Sequence, residues 1–272
     1  MSASTTQPGC LRLAVAQTRP VGTSAEGLAL LREACVDARA QQADLLVMPE
    51  MGLTGYAWPL PQLSTLAEPA DGPLCRAACA LAREHRLALV IGYPERGAEG
   101  ALYNAAQLID AEGVPRLHYR KTHLFGSLDR DRFRAGDTLP KPVVLHGFRL
   151  ALAICYDIEF PELARSYRLQ DADVLLVPTA NMHPYTSVAT TLVPARAEEN
   201  GLYVAYANYC GAEGGLHYCG RSSICGPDGR TLAQAGEAAP ALIFADLRTD
   251  VLEQVRAAQP YLADRRPDLY LR

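Results

Sequence analysis

Hydrophobic residues recur with two different periods along the first third of the chain. Residues 11–17 alternate and predict a strand, whereas the apolar residues of 25–42 recur at helical spacing and predict an amphipathic helix. A short apolar run at 45–48 predicts a buried strand that Pro49 stops, and Pro73 stands where the first residue of a second helix is expected. With a further strand predicted at 88–91, this part of the chain has the order of βαβ units.

The order of predicted elements changes after residue 102, because several strands then follow one another with turn residues between them. A proline at position 194 interrupts one predicted helix, and because an interior proline costs ~3 kcal/mol we expect a kink or a new helix start there. Strands are predicted at 103–109, 117–120, 143–145, 149–154, 174–177, 203–207, 222–225 and 241–246, and helices at 161–170, 187–200 and 249–258.

This mixture of βαβ units and hairpins predicts an α/β fold. We expect two mixed β-sheets packed face to face with helices outside, which is a four-layer αββα sandwich. No shift in composition marks a boundary, so a single domain is expected over residues 1–272. Residues 1–10 are small and polar and are expected to form a disordered tail, and residues 259–272 a polar-aromatic C-terminal tail.

Charge and composition exclude several classes of partner. The net charge is -4 without a block of like charges, which argues against nucleic acid and against an anionic membrane surface. No apolar stretch reaches ~18 residues, so no membrane span is expected. The first residues lack the charged start and apolar core of a secretion signal, and we expect a cytoplasmic protein.

The chain contains eight cysteines, at scattered positions. Cys75 and Cys79 lie four residues apart on a predicted helix, but no nearby Cys/His pair completes a zinc site. Most cysteines are therefore expected to be small buried hydrophobic residues, with neither a disulfide framework nor a structural metal.

Three predicted strands end in an ionisable residue, and these residues are Glu50, Lys121 and Cys155. Side chains at strand ends of an α/β sheet converge on a crevice where ligands bind. Cys155 lies between a strand and a helix, a setting that exposes a nucleophile and favours a thiolate, although a free cysteine is more often simply packed.

The two other strand ends have chemistry that matches a nucleophilic cysteine. Lys121 near the thiol would lower its pKa and stabilise an oxyanion, whereas the ordinary alternative is an exposed lysine. Glu50 among apolar neighbours is expected to have a raised pKa, which suits a general base, and its alternative is a structural ion pair.

Longer segments around these residues resemble the nitrilase superfamily of carbon–nitrogen hydrolases. The resemblance covers residues 11–246 and implies that Glu50 is the general base, Lys121 the transition-state stabiliser and Cys155 the nucleophile, with the Tyr156 backbone N–H steadying the oxyanion. It implies neither a metal nor a cofactor. The matching segments are LLVMPEMGLTGY, YRKTHLFG, ICYDIEFPE, VPTANM, ARAEENGLYVAYAN and GPDG.

Within that family the chain is most similar to the amidase branch, and there to the 5-aminopentanamidase (δ-aminovaleramidase) type. The similarity implies a small-molecule substrate, namely a linear ω-amino amide such as 5-aminopentanamide, cleaved to carboxylate and ammonia. The segments concerned are GYPERG, LYNAAQLIDAEG, YRKTHLFGSLDR, PTANMHPY, ANYCGAEGG and YCGRSSICGPDG.

The same resemblance suggests which residues form the pocket. Many relatives carry a second glutamate eight residues past the lysine that orients the substrate amide, and Asp129 stands there, with Asp131 as an alternative acid. The remaining pocket residues are expected to be Asn181, Met182 and His183 in the lining, and Asp129, Asp157 or Glu159 as the group that binds a substrate ammonium. The family's habit of pairing through outer helices implies a homodimer or larger homo-oligomer, with residues 259–272 at a subunit interface.

Three other functions remain open at the level of sequence. An N-carbamoyl amide hydrolase or a true nitrilase would use the same scaffold, and the former would need a pocket arginine, for which Arg130, Arg132 and Arg134 are candidates. A non-catalytic interaction protein on this fold is a second alternative. A Cys–His enzyme with His123 or His217 as base is the third, although neither histidine lies in a supporting motif.

Overall fold

The structure is a computed structural model, and it describes residues 9–270. The strands in this range are β1 (Cys10–Gln17), β2 (Leu45–Val47), β3 (Ala88–Arg96), β4 (Leu102–Ile109), β5 (Pro115–Arg120), β6 (Val143–Leu145), β7 (Phe148–Leu152), β8 (Val174–Pro178), β9 (Tyr203–Ala207), β10 (Cys210–Glu213), β11 (Leu216–Cys219), β12 (Ser223–Cys225), β13 (Thr231–Gln234) and β14 (Ala241–Arg248). The α-helices are α1 (Ser24–Ala40), α2 (Leu60–Leu66), α3 (Pro73–His85), α4 (Gly126–Arg130), α5 (Pro161–Arg168), α6 (Val193–Asn200), α7 (Thr249–Ala258) and α8 (Pro267–Tyr270).

Two six-stranded sheets form the centre of the fold. The first has the strand order β14-β1-β2-β3-β4-β5 and the second has the order β13-β12-β9-β8-β7-β6. In each sheet three adjacent strands are parallel, β1-β2-β3 in the first and β7-β8-β9 in the second, and the outer strands pair antiparallel. The remaining strands, β10 and β11, form a separate hairpin.

Apolar side chains of both sheets meet in one layer between them. Leu13 and Val47 of the first sheet share this layer with Leu150 and Leu176 of the second, and all four are fully buried. Successive residues of a strand point to opposite faces, so the intervening residues of these strands face outward towards the helices.

Helices cover the outer face of each sheet. On the first sheet Leu31 of α1 and Ala78 of α3 pack against the strands, and on the second sheet Leu163 of α5 and Ala197 of α6 do the same. Both faces of each central strand are therefore buried, which explains why β8 reads as a continuous apolar run. The predicted four-layer αββα arrangement of two mixed sheets is confirmed.

The helix that contains Pro194 does not start anew at this proline, because Ser187, Leu192 and Val193 before it all have helical φ/ψ angles. A turn of π-helix spans Val188–Leu192, and α6 then begins at Val193 with Pro194 in its first turn. The π-helical turn interrupts the i→i−4 hydrogen-bond ladder, so a residue without an N–H is tolerated directly after it. Gly201 ends α6 with a φ of 55°, a left-handed conformation that glycine adopts without a Cβ penalty.

The N-terminal segment differs from the sequence prediction at residues 9 and 10. Residues 1–8 of the predicted N-terminal tail lie outside the described residues, and Cys10 belongs to β1, where it pairs with Arg248. The C-terminal segment contains the short helix α8, and its last two residues are outside the described range. Gly9 donates its N–H to Thr249 Oγ1, so residues 9 and 10 of the predicted tail both contact the end of β14 or the residue after it.

The eight cysteines are free thiols, and five of them are buried: Cys35, Cys75, Cys210, Cys219 and Cys225. This agrees with their prediction as small core residues. Within residues 9–270, no helix has the length and apolarity that crossing a membrane requires.

Candidate active site

Glu50, Lys121 and Cys155 all lie at the ends of strands from the two sheets. Glu50 lies in the turn after β2, and Lys121 directly follows β5. Cys155 opens a 3₁₀ turn, Cys155–Glu159, three residues beyond the end of β7. The Nζ of Lys121 donates a hydrogen bond to Oε1 of Glu50 at 2.8 Å, and neither side chain is exposed. Lys121 and Cys155 line the same cavity, so the structure brings the three predicted residues together.

The turn that carries Glu50 fits closely over β3. Met51 adopts a φ of 53°, and a Cβ on Gly92 would lie 2.7 Å from the Met51 nitrogen and 2.8 Å from the Pro49 oxygen. Glycine at position 92 is thus what lets this turn approach the strand. On the other side, the Glu50 N–H donates to the carbonyl of Thr179 at 3.3 Å, which ties the turn to the second sheet.

Asn104 of β4 fixes both partners of the Glu50–Lys121 pair. Its side-chain Nδ2 donates to Glu50 Oε1 at 2.5 Å, and its main-chain carbonyl accepts the backbone N–H of Lys121 at 2.8 Å. The second carboxylate oxygen of Glu50, Oε2, is buried and has no hydrogen-bond partner among the described residues. That oxygen is the one available to take a proton.

Asp129 reaches the site despite its short side chain. Its Oδ2 lies 2.7 Å from Lys121 Nζ and accepts the Phe125 N–H at 2.9 Å, while Oδ1 accepts a short hydrogen bond from the Tyr56 hydroxyl. Helix α4 carries Asp129 inward, and the side chain is fully buried. Asp131 is exposed at the end of the same helix and does not take this place.

Two carboxylates share one buried ammonium, and their pKa values move apart. Burial raises the pKa of Glu50, and although Lys121 opposes this, the charge of Asp129 adds to it. For Asp129 burial also raises the pKa, but the Lys121 charge and hydrogen bonds outweigh it and the net shift is downward. Burial alone would lower the pKa of Lys121, yet Glu50, Tyr56 and Asp129 together raise it well above its usual value. Asp129 and Lys121 are therefore ionised, and Glu50 is the group that titrates.

The pKa of the Cys155 thiol shifts in the direction opposite to the sequence prediction. Burial raises its pKa, the Glu50 charge raises it further, and Lys121 only partly offsets both, so the predicted thiolate-favouring environment is wrong. The helix that was expected to assist, α5, begins only at Pro161. Cys155 itself has a φ of 47°, a region sparsely populated by non-glycine residues, in the sharp turn between β7 and the 3₁₀ turn.

A small cavity with aromatic walls lies in front of Cys155. Phe125 contacts the Tyr156 ring edge-on at 5.3 Å and the Tyr185 ring at 5.5 Å. The volume is about 10 Å³, room for one water molecule at most. The lining residues are Tyr56, Lys121, Phe125, Cys155, Tyr156, Glu159, Ala180, Asn181, Met182 and Tyr185.

Four of the predicted pocket residues, Tyr156, Glu159, Asn181 and Met182, line this cavity. His183 does not, because the chain turns after Met182 and His183 lines a separate depression with His217. In this segment the cavity lining therefore ends at Met182, one residue before the predicted end.

Asp157 is not available to a substrate. It is fully buried, and Tyr119, Thr122 and the backbone of Ile154 donate to its two oxygens at 2.8, 2.9 and 3.0 Å. Asp157 links the 3₁₀ turn to the end of β5, a positioning role that corrects its prediction as a substrate contact.

Neither the candidate arginines nor the candidate histidines line the cavity. Arg130 and Arg134 are exposed, and Arg132 donates to the backbone oxygens of Tyr56 and Trp58 at 3.0 and 3.1 Å. The ring of His123 stacks on Phe160 at 3.9 Å outside the cavity, and His217 lies in the depression beside His183.

Sequence reasoning missed several residues that shape the site, above all Tyr56 and Asn104. Tyr56 ends the segment PEMGLTGY that already contains Glu50, and Asn104 is an amide inside the apolar strand LYNAAQLI. A polar residue at a buried strand position needs a hydrogen-bond partner, so Asn104 carried a usable signal.

Comparison with known proteins agrees with this geometry. The family model described as carbon–nitrogen hydrolase matches residues 12–257. A Pseudomonas protegens protein named "Hydrolase in pqqF 5'region" is 51% identical over 86% of this chain and 82% of its own length. An (R)-stereoselective amidase from Pseudomonas sp. is 39% identical over 84% of this chain and 81% of its own length.

Solved structures give the same result. The crystal structure of an amidase from Nesterenkonia sp. superposes with a TM-score of 0.86 at 34% identity, covering 99% of this chain and 98% of that one. A mutant of that amidase, with a TM-score of 0.84 at 33% identity over 99% of this chain and 98% of that one, has the acetamide moiety of fluoroacetamide added covalently at its active-site cysteine. The present chain belongs to the carbon–nitrogen hydrolase family, and it is an amidase of the nitrilase superfamily.

Proposed function

We propose that this amidase hydrolyses a small linear aliphatic amide, and within that class an ω-amino amide such as 5-aminopentanamide, to the carboxylate and ammonia. Cys155 is the nucleophile, Glu50 carries the protons and Lys121 stabilises the oxyanion. The observation that carries the proposal is the contact of Lys121 Nζ with two carboxylates, 2.8 Å from Glu50 and 2.7 Å from Asp129, beside the cavity that Cys155 lines.

The first step needs a base, because the raised pKa of Cys155 keeps the sulfur protonated at neutral pH. Glu50 accepts the thiol proton while Sγ forms a bond to the amide carbonyl carbon, and the carbonyl π electrons move to oxygen. Lys121 and the Tyr156 backbone N–H stabilise this oxyanion. Donors held in place before the reaction need no reorganisation, and they act more strongly in a dry site.

The second step releases ammonia. Glu50 gives its proton to the amide nitrogen, the oxyanion collapses, the C–N bond breaks and the acyl group stays on Sγ as a thioester. A carboxyl group with a raised pKa suits both directions of transfer, because its pKa lies nearer to neutral pH.

The third step hydrolyses the thioester. Water loses a proton to Glu50 and attacks the acyl carbon, the C–S bond breaks, and the leaving sulfur takes the proton back from Glu50. The balance of all steps is amide plus water to carboxylic acid plus ammonia. Dividing one difficult displacement into two easier ones is the benefit of the covalent intermediate.

The charges around the cavity support a substrate with a cationic end. Lys121 is the only cation among the described residues that line the cavity, and it is already paired with Glu50 and Asp129. Glu159 adds a carboxylate to the lining. Because a substrate carboxylate would meet no free cation here, an N-carbamoyl amino acid fits less well than an ω-amino amide.

Ammonia release from a panel of three amides tests both the proposed amide hydrolysis and the proposed preference for ω-amino amides. We expect 5-aminopentanamide to be cleaved faster than uncharged pentanamide, and pentanamide faster than the anionic glutaramate. Equal rates on all three would contradict the ω-amino preference but not the amidase chemistry. Ammonia release from pentanenitrile without pentanamide accumulating would instead favour a nitrilase.

A further inference from the structure

We infer that Glu159 is the residue that binds the substrate ammonium and so determines the preference for ω-amino amides. This inference rests on the proposed function, namely amide hydrolysis at Cys155. It assigns the ionic contact to one carboxylate at the far end of the turn that the nucleophile opens.

Elimination among the acidic residues near the cavity leaves Glu159. Asp129 is saturated by Lys121, Tyr56 and the Phe125 N–H, and Asp157 receives its hydrogen bonds from the protein interior. The Glu159 carboxylate, by contrast, has no hydrogen-bond or ion-pair partner within residues 9–270, and it is half-buried in the cavity wall.

The backbone of Glu159 is held while its side chain stays free. Arg196 Nη2 donates to the Glu159 carbonyl at 2.9 Å, and its Nη1 pairs with Glu199 at 3.1 Å. Arg196 is buried, so this guanidinium anchors the end of the 3₁₀ turn without neutralising the Glu159 carboxylate. A carboxylate on a fixed main chain is a defined receptor for a cation.

The spacing within the turn matches a five-carbon ω-amino amide. Cys155 and Glu159 are the first and last residues of the turn, and a rise of ~2.0 Å per residue separates their Cα atoms by ~8 Å. An extended 5-aminopentanamide has five bonds from carbonyl carbon to nitrogen, about 6 Å at ~1.2 Å per bond. In the proposed complex the carbonyl carbon lies at Sγ of Cys155 and the ammonium at the carboxylate of Glu159, since both residues line the cavity.

The cavity walls suit the rest of such a substrate. Tyr156 and Glu159 both line the cavity together with Cys155. The rings of Phe125, Tyr156 and Tyr185 offer apolar surface to the methylene groups and π faces to a cation. Burial raises the pKa of Glu159, and Lys121 and Arg196 only partly oppose this, so an arriving ammonium relieves an unfavourable charge.

The test compares kcat/KM for 5-aminopentanamide and pentanamide in the whole enzyme and in Glu159→Gln. We expect their ratio to fall about 10- to 100-fold, mostly through KM, because a hydrogen bond to a charged group is lost. Glu159→Lys should reverse the order, so that glutaramate is cleaved faster than 5-aminopentanamide. Glu162→Gln, which neutralises an exposed glutamate three residues further on, is the matched control and should keep the wild-type ratio.

The outcomes separate this inference from the proposed function. If the wild type prefers 5-aminopentanamide and Glu159→Gln keeps that preference, the assignment of Glu159 is wrong while the proposed function stands. If the wild type shows no preference, both the ω-amino specificity and its assignment fail.

A series of ω-amino amides of different chain length, assayed with the wild-type enzyme, provides a second test that does not depend on how a variant folds. Because about 6 Å of substrate must span the turn, 5-aminopentanamide should exceed 3-aminopropanamide by at least tenfold in kcat/KM. Equal values would overturn the proposed spacing between Cys155 and Glu159.

Discussion

Lys121 and Asp129 form an ion pair with 2.7 Å between Nζ and Oδ2, and neither side chain is accessible to solvent. Helix α4 and the Tyr56 hydroxyl bring this short acid within reach of the lysine. The pair holds a positive charge beside Cys155, and in the proposed mechanism Glu50 is therefore the carboxyl group that exchanges protons.

Replacing Asp129 with asparagine tests this division of roles. Without the negative charge of Asp129, the pKa of Glu50 should fall, so the acidic limb of kcat/KM should move to lower pH. Breaking a buried ion pair should also cost about 3–5 kcal/mol of unfolding free energy, measured in urea. Asp131→Asn alters an exposed acid in the same segment, and we expect it to change neither quantity. An unmoved acidic limb in Asp129→Asn would contradict the coupling.

The pH dependence of the wild type follows from the raised pKa of Glu50. This group must be ionised to accept the Cys155 proton, so activity is present above the folded-state pKa and is lost as pH falls through it. Since burial raises that pKa, the acidic limb of kcat/KM should lie above the ~4.3 of an ordinary glutamate. A profile that stays flat down to about pH 4 would show that Glu50 is not the titrating base.

Gly92 offers a test of how the fold positions Glu50. In Gly92→Ala the new Cβ would lie 2.7 Å from Met51 N and 2.8 Å from Pro49 O, so the turn must shift. We expect a loss of about 1–3 kcal/mol in unfolding free energy, as for other overpacked sites, and at least a tenfold loss of kcat.

Gly236→Ala serves as the control for this substitution, because a Cβ there meets nothing within 4 Å. It should leave both stability and kcat close to wild type. A wild-type kcat in Gly92→Ala would contradict the claim that the close fit of this turn over β3 positions Glu50 for catalysis.

The sequence pattern predicted the layers and most elements because the central strands are either alternating or continuously apolar, whereas β10 and β13 have neither pattern and were not predicted. It also predicted where Glu50, Lys121 and Cys155 would meet, since strand ends of packed sheets converge. It could not predict that burial would raise the Cys155 pKa, because that depends on how closely the two sheets enclose the thiol. Helix propensity likewise gave no sign of α4, a five-residue helix that exists through its tertiary contacts.

The errors among the pocket residues have a common physical cause. A polar residue in a functional segment can either face the substrate or hydrogen-bond with buried polar groups of the protein. The sequence alone does not distinguish these two orientations. Asp157 faces Tyr119 and Thr122, whereas Glu159, two residues later in the same segment, faces the cavity. Tertiary hydrogen bonds, which no local pattern encodes, decide between these orientations.

The central claim is that the acyl group is carried by Cys155, and intact-protein mass spectrometry of samples quenched during amide turnover tests it most directly. We predict an adduct of the substrate mass less ammonia that peptide mapping places on Cys155, and neither adduct nor turnover in Cys155→Ala. Cys79→Ala, a partly exposed thiol outside the cavity, should keep both. An acyl adduct on another residue, or wild-type ammonia release by Cys155→Ala, would contradict the account.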